Sequence, residues 1–184
     1  MVKNNKTFVT IIDIQEKLIN AVYNKNSITS KIEKLVLASK YLELPILVTE
    51  QYTKGLGATI QTVDGNLPKS VFKIEKNSFS ACLEEEFSNK IIALKNSGYK
   101  HVVICGIETH ICVLQTVTDL IEKHGLKVSV VSDASSSRSE VEHNIGLNLM
   151  RQRGAEITSL EIQLFELLKS SKHPKFKEVQ LLIK

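Results

Sequence analysis

The stretch HVVICGIETHICVLQTVTDLIEKHGLKVSVV, residues 101–131, contains the pattern that decides the fold. It begins with a β-branched run at residues 101–104 and ends with another at residues 127–131. Neither run alternates strictly between polar and apolar residues, which is typical of strands covered on both faces. Between them, residues 112–121 have helical apolar spacing, and Gly125 follows where a helix would end. The stretch therefore predicts a strand–helix–strand unit of a parallel sheet.

The same alternation of short apolar runs and helix-spaced segments continues through the rest of the chain. Further strands are predicted at residues 8–12, 46–48, 70–74 and 155–158. Helices are predicted at residues 28–44, 83–96 and 141–150. This rhythm predicts an α/β fold with three α-β-α layers, built on an open, Rossmann-like, mainly parallel sheet of six strands.

Length and linkers predict a single domain over residues 1–184, because no Pro-, Gly- or Ser-rich segment divides the chain. Residues 172–184 are expected to form a C-terminal helix or arm. Residues 50–69 contain several turn-forming residues and are expected to be a long loop.

Composition excludes several classes of protein. With 42% hydrophobic and 24% charged residues, the chain is not intrinsically disordered. The net charge of +4 comes from scattered lysines, so nucleic-acid binding is only weakly favoured. No apolar run approaches the roughly 20 residues that span a bilayer, and the N-terminus lacks a signal-peptide core. We expect a soluble, cytoplasmic protein.

The three cysteines, Cys82, Cys105 and Cys112, form no CxxC pair and no zinc-type cluster with histidine. Their odd number argues against a disulfide scaffold and for a reducing compartment. The sequence has no P-loop, and the Gly-x-Gly at residues 55–57 lacks the rest of a dinucleotide fingerprint. No cofactor and no metal are expected.

Candidate functional residues follow from the fold, because ligands of such sheets bind at the carboxyl ends of the strands. These ends carry Asp13 and the segments 49–51, 106–109 and 132–133. Asp13 is a candidate carboxylate in a partly desolvated place, or else an N-cap of the next helix. The position alone leaves both interpretations open.

Cys112 is predicted to lie in the first turn of a helix, after a strand that ends near Cys105 and a turn at Gly106. The helix dipole and free backbone N–H groups there would stabilise a thiolate or an oxyanion. The alternative is a small buried hydrophobic residue. Lys76 is a candidate for lowering the pKa of the thiol from about 8.5, with Lys73 as a close competitor.

The remaining reactive side chains are assigned structural roles. Cys105 is expected in the core, and Cys82 is expected to be structural or incidental. His110 lies two residues from Cys112, so on a helix it points elsewhere and is not expected to form a dyad with it. The other histidines are interpreted as surface or capping residues, and they are His101, His124, His143 and His173.

Together, these residues resemble the Asp-Lys-Cys triad of the isochorismatase-like cysteine hydrolases. The resemblance is carried by Ile-Asp-Ile-Gln at 12–15, Lys-Asn-Ser-Phe-Ser at 76–80 and Gly-Ile-Glu-Thr-His-Ile-Cys at 106–112. It is strongest to the isochorismatase domain-containing proteins of eukaryotes and their bacterial relatives. Further matching segments lie at residues 49–52, 54–57, 132–139 and 173–177. The resemblance covers essentially the whole chain and favours Lys76 over Lys73.

The resemblance implies a mechanism and a set of contacts. Asp13 would be the general base, Lys76 would favour the charged forms, and Cys112 would attack an amide-like carbon to form a thioester. Backbone N–H groups around Ile111 and Cys112 would bind the oxyanion, and a cis peptide is expected near 107–108. The implied oxyanion- and substrate-binding residues are Ile107, Glu108, Ile111, Gln51, Tyr52 and Phe79. A homo-oligomer is also implied.

Two departures and three alternatives refine this hypothesis. Residues 49–52 contain no histidine, unlike the metal site of nicotinamidases, so a metal there is not expected. Siderophore-pathway isochorismatases cleave a vinyl ether without the cysteine, so Cys112 favours amide-like hydrolysis, with vinyl-ether hydrolysis as an alternative. A non-catalytic binding or scaffold protein that retained the fold is the second alternative. Nucleic-acid processing is the third, and the absence of stacking aromatics counts against it.

Overall fold

The computed structural model describes residues 6–184, which form six strands and eight α-helices. The strands are β1 (Thr7–Ile12), β2 (Ile46–Gln51), β3 (Phe72–Lys76), β4 (His101–Ile107), β5 (Lys127–Ser136) and β6 (Glu156–Thr158). The helices are α1 (Lys25–Tyr41), α2 (Thr53–Leu56), α3 (Gln61–Asp64), α4 (Glu85–Asn96), α5 (Leu114–Glu122), α6 (Glu140–Gln152), α7 (Leu160–Leu168) and α8 (Phe176–Ile183).

The strands form one sheet in the order β3-β2-β1-β4-β5-β6, and every neighbouring pair is parallel. Because β1 lies in the middle, the chain first builds the sheet in one direction to β3 and then in the other from β4. All six residues of β1 are buried. The predicted α/β class and the six-stranded parallel sheet are confirmed.

Each face of the sheet has its own apolar core. Phe8 and Ile12 of β1 pack with residues of α4, α5 and α6 in one core. Val9 and Ile11 pack with residues of α1, α7 and α8 in the other. This alternation along a single strand produces the three layers, since successive side chains point to opposite faces.

Several boundaries differ from the sequence-based expectations. β4 does not end near Cys105 but continues to Ile107, and Lys76 ends β3 instead of following it. β5 continues through the serine-rich segment to Ser136. The expected loop at 50–69 begins on β2 and contains the short helices α2 and α3.

Gly106 explains how β4 extends past the expected turn. Its φ is +131°, and a Cβ atom there would lie 2.1 Å from the backbone oxygen of Ile12 on β1. Only glycine fits this close approach. The pairing of β4 with β5 shifts register between Ile104 and Gly106, where the extra residues lie on β5, and it resumes as far as Ile107 and Ser136.

The C-terminal helix α8 packs on the α1 and α7 side of the sheet, where Val179 is completely buried. The Phe176 ring lies 6.4 Å from the Phe165 ring of α7. Within residues 6–184, no helix is both long and apolar enough to cross a membrane.

Candidate active site

Asp13 follows the carboxyl end of the central strand and is completely buried, with a left-handed φ of 51°. Its Oδ1 accepts a hydrogen bond of 2.7 Å from Thr49 Oγ1, and its backbone N–H donates to Thr49 O at 3.1 Å. These bonds fix Asp13 to β2. The Asp13 carboxylate therefore lies at the carboxyl edge of the sheet. The alternative role as an N-cap is wrong, because the next helical turn begins after Lys17.

Lys76 reaches Asp13 from β3, with its Nζ 2.8 Å from Asp13 Oδ2 and both side chains fully buried. The ammonium also donates to Gln51 Oε1 at 2.5 Å and to the backbone oxygens of Ser78 and Phe79. Lys73 is partly exposed and pairs with Asp64. The structure therefore brings Lys76, and not Lys73, to the carboxylate.

Cys112 lies in a π-helical turn, Thr109–Val113, that connects β4 to α5. Cys112 is nearly buried, with 7% of its surface exposed, and the charges of Asp13 and Lys76 both act on its thiol. The turn, rather than the first turn of an α-helix, positions the sulfur. Single π-helical turns of this kind are frequent at functional sites.

The electrostatics of the cluster differ from the sequence-based expectation of a lowered thiol pKa. Burial raises the pKa of Cys112 to about 12, and the negative charge of Asp13 acts in the same direction, against Lys76. Burial also raises the pKa of Asp13, while the charge and hydrogen bond of Lys76 lower it. The resting cluster is thus a neutral thiol beside a carboxylate that can accept its proton.

The other two cysteines lie outside this cluster. Burial raises the pKa of Cys82 to about 12, and its sulfur lies 3.9 Å from Thr116 O. Cys105 is completely buried in the opposite core, as expected, and burial raises its pKa further still. Cys112 is the cysteine on which the buried pair of Asp13 and Lys76 acts.

The turn that carries Cys112 is held by the segment before α6. The peptide bond between Ile107 and Glu108 is cis. The buried Glu108 carboxylate accepts two hydrogen bonds from the Arg138 guanidinium, at 3.1 and 2.6 Å, and one from its backbone N–H at 3.1 Å. His110 Nδ1 lies 2.9 Å from Ser137 Oγ, so it faces away from the thiol.

His143 of α6 corrects one expectation and adds a contact that the sequence did not indicate. The sequence predicts a surface or capping residue, but His143 is buried, and its Nδ1 lies 2.9 Å from Thr109 Oγ1. α6 approaches the turn closely because Gly146 has no side chain. A Cβ there would lie 3.0 Å from the His110 Cα atom.

The other predicted binding residues differ in how available they are. Ile107 is buried, and the Ile111 N–H donates to Glu108 O at 3.0 Å, which argues against its predicted use as an oxyanion donor. Tyr52 and Phe79 have 52% and 55% of their surfaces exposed. Gln51 is engaged at both ends of its amide, by Lys76 and by Asn77 O.

Three residues of the site had no role assigned from sequence, namely Gln15, Thr49 and Arg138. All three lie within motifs that carried the family resemblance. Their contacts depend on which strands are neighbours, and the motifs do not contain that information. Among residues 6–184, no group of three or more His, Cys, Asp or Glu side chains is arranged to hold a metal ion.

A family model described as the isochorismatase domain matches residues 7–162. The chain belongs to the isochorismatase family. Isochorismatase domain-containing protein 2 of Xenopus laevis is 40% identical over 173 residues, which are 94% of this chain and 81% of that protein. Isochorismatase family protein 1A of Dictyostelium discoideum is 36% identical over 95% of this chain and 84% of its own length. The predicted family and subgroup are confirmed.

Solved structures place the isochorismatase fold over nearly the whole chain. A structure described as MAR1 ribonuclease from Caenorhabditis elegans has a TM-score of 0.91 and 36% identity, over 99% of this chain and 91% of that one. A hypothetical protein from Trypanosoma cruzi has a TM-score of 0.89 and 29% identity, over 98% and 92%. The chain therefore has the hydrolase fold of the isochorismatase family.

Proposed function

We propose that this protein is a cysteine hydrolase that cleaves an amide-like C–N bond of a small metabolite through a thioester. The observation that carries the proposal is the buried 2.8 Å ion pair between Asp13 and Lys76, whose two charges act on the thiol of Cys112. A buried charge pair is costly to desolvate, and a structural role alone does not require that both charges act on a thiol. Family membership supports hydrolysis as the reaction class.

The first half-reaction follows from the protonation states of the cluster. As Cys112 Sγ attacks the carbonyl carbon, its proton passes to Asp13, and the carbonyl oxygen gains the negative charge. The tetrahedral intermediate then breaks its C–N bond, and Asp13 returns the proton to the departing nitrogen. Lys76 remains positively charged and stabilises the anionic sulfur and carboxylate in turn.

In the second half-reaction, Asp13 takes a proton from water as the water oxygen attacks the thioester carbon. The C–S bond breaks, and the Cys112 sulfur recovers its proton from Asp13. The products are a carboxylic acid and ammonia or an amine. Asp13 thus serves as base and acid in both half-reactions, while the positive charge of Lys76 offsets the negative charge on the carboxylate or the sulfur.

The experiment searches for the acyl group directly. The protein is incubated with a metabolite extract and with a panel of small amides, and the mass added to the Cys112 peptide is measured. Cys112→Ala is expected to abolish turnover of any amide found, by about 10³-fold or more. Cys82→Ala is the matched control, since it removes a similarly buried thiol and is expected to keep turnover.

Iodoacetamide provides a test without a substrate. We expect Cys112 to be alkylated faster than Cys82 and Cys105, because the buried ion pair of Asp13 and Lys76 acts on its thiol. Equal alkylation of all three cysteines, together with activity that survives in Cys112→Ala, would contradict the proposal. Tight binding of a small molecule with no adduct and no turnover would favour the non-catalytic alternative.

A second candidate function is RNA cleavage, because the 36%-identical C. elegans structure is described as a ribonuclease. The net charge of +4 is compatible with RNA binding but does not indicate it. The test is cleavage of labelled RNA by the wild type and by Cys112→Ala at several salt concentrations. Cleavage that is lost in the variant and weakens with salt would support this function, and no cleavage would dismiss it.

We also propose that the protein acts as a homo-oligomer in the cytoplasm. The E. coli YcaC gene product, a structure with a TM-score of 0.84 and 22% identity, is described as an octameric hydrolase. The three cysteines are free, which suits a reducing compartment. A 36%-identical relative from Phytophthora sojae is named a secreted effector, so secretion is the competing outcome. Sedimentation and cell fractionation test the two parts separately.

A further inference from the structure

The side-chain amide of Gln51 connects Lys76 to the loop that follows it. Gln51 Oε1 accepts a hydrogen bond of 2.5 Å from Lys76 Nζ, and Gln51 Nε2 donates to Asn77 O at 2.8 Å. The bond to Asn77 fixes which end of the amide faces the lysine. Both polar ends are therefore occupied, which is unlike a residue that waits for a substrate.

Gln15 holds the backbone of Gln51 in turn. Gln15 is completely buried, its Oε1 accepts from the Gln51 N–H at 2.7 Å, and its Nε2 donates to Gln51 O at 2.9 Å and to Gly57 O at 2.7 Å. The Gln15 N–H donates to Asp13 O at 2.8 Å. Two glutamines thus form a continuous connection from the segment that carries Asp13 to the ammonium of Lys76.

From these contacts we propose that Gln51, fixed by Gln15, is a positioning residue that holds the Lys76 ammonium against Asp13 and Cys112. This inference rests on the proposed function. The Lys76 ammonium faces one carboxylate, Asp13, and three neutral oxygens, those of Gln51, Ser78 and Phe79. A neutral acceptor satisfies an N–H group of the ammonium without adding a negative charge that would weaken the effect of Lys76 on the thiol.

The chemical identity of position 51 is therefore important. A glutamate has nearly the same shape, but its negative charge would compete with Asp13 for the ammonium. Asp13 and Lys76 are the charged groups that act on the thiol. Glu84 interacts electrostatically with Lys76 from further away, and its carboxylate accepts hydrogen bonds from the backbone N–H groups of Asn77 and Ser78. A second carboxylate would make the anionic sulfur harder to form.

The test measures the rate of Cys112 alkylation by iodoacetamide between about pH 6 and about pH 10, where the rate rises with pH because the pKa of the thiol lies higher. In Gln51→Glu we expect the pKa of Cys112 to rise by about one unit, which slows alkylation about tenfold at every pH in this range. Cys82 in the same sample is the internal reference and is expected to keep its rate. A merely structural role would lower thermal stability without slowing the alkylation of Cys112 relative to Cys82.

Glu50→Gln is the matched control, because Glu50 is adjacent on β2 and points to the opposite face, where it accepts from Thr59 N and Oγ1. It is expected to leave the Cys112 profile unchanged. If Gln51→Glu does not fold, Gln51→Met keeps the length and neutrality but offers no acceptor, and we expect alkylation of Cys112 to slow at least about threefold.

The outcomes separate this inference from the proposed function. If Cys112 is the cysteine alkylated fastest in the wild type and both Gln51 variants keep its alkylation rate at each pH, the positioning role of Gln51 is wrong. The proposal that Cys112 is the nucleophile is then unaffected. If the wild-type Cys112 reacts no faster than Cys82, the proposed function itself fails. If Glu50→Gln moves the profile as much as Gln51→Glu, the effect belongs to β2 as a whole and the inference is overturned.

Discussion

At the scale of single residues, the site depends on one lysine among many. Lys76 and Lys73 lie on the same strand and have the same side chain, but only Lys76 is buried against a carboxylate. The sequence alone left both open, and the family motif favoured Lys76. The raised pKa of Cys112 was not predictable, because it depends on how deeply the packed elements bury the thiol.

Replacement of Lys76 by methionine tests its electrostatic role. The variant removes the positive charge that opposes burial and Asp13, so the pKa of Cys112 rises further and alkylation slows more than about tenfold. Peptide-resolved alkylation rates provide the measurement. Lys73→Met is the control and is expected to keep the wild-type rate, since Lys73 pairs with Asp64 away from the thiol. Equal slowing in both variants would contradict this role.

Gly106 is the second residue-scale feature with a testable consequence. In Gly106→Ala, the new Cβ would meet the Ile12 backbone on the central strand, and we expect the free energy of unfolding to fall by about 3 kcal/mol or more. Gly125→Ala is the control, because Gly125 has a φ of +62° but open space around it, and a loss of about 1 kcal/mol is expected. Urea denaturation measures both. Similar losses would mean that φ, and not the close approach, dominates at Gly106.

At the scale of elements, the helices and strands followed the hydrophobic pattern, but the carboxyl ends of β4 and β5 did not. The serine-rich segment at the end of β5 has the composition of a loop, although it pairs with β4 as far as Ile107 and Ser136. Pairing with a neighbour overrode local propensity there. These strand ends carry several of the candidate site residues, so the hydrophobic pattern is least informative about the backbone at the candidate site.

The ion pair of Glu108 with Arg138 joins the end of β4 to the segment before α6. Burial raises the pKa of Glu108, but the hydrogen bonds and charge of Arg138 outweigh it, so the pKa lies below its usual value of 4.5. The stabilisation is present above about pH 4.5 and is lost as the pH falls through the lower, folded-state pKa. We expect Glu108→Gln to be less stable at neutral pH and to approach the wild type in acid.

Thermal unfolding of both proteins from neutral pH down to about pH 3 measures this difference. Glu178→Gln is a suitable control, because the Glu178 side chain is only partly buried and pairs with the similarly accessible Lys175 at the start of α8. It is expected to change the unfolding temperature little at any pH. A gap between Glu108→Gln and the wild type that stays constant with pH would show that the ion pair does not titrate as described.

At the scale of the whole molecule, the two cores lie on opposite faces of the sheet. The C-terminal helix α8 covers part of the core formed with α1 and α7. Val179 of α8 is completely buried there, whereas Leu181 has 71% of its surface exposed. We expect Val179→Ala to lower the free energy of unfolding by about 2 kcal/mol and Leu181→Ala to change it by less than about 0.5 kcal/mol. Denaturant titration compares them. Equal, small effects would mean that α8 contributes little to the core.

The sheet order also determines which side chain can complete the site, since β2 lies between Asp13 and Lys76. Strands are spaced about 4.8 Å apart, so the cation must cross two intervals to reach the carboxylate. Thr49 and Gln51 are alternate residues on one face of β2. Thr49 donates a hydrogen bond to the Asp13 carboxylate, and Gln51 accepts one from the Lys76 ammonium. The distance from β3 to the Asp13 carboxylate therefore sets the side-chain length that position 76 needs. The four-carbon stem of lysine spans this distance, whereas a histidine side chain is too short.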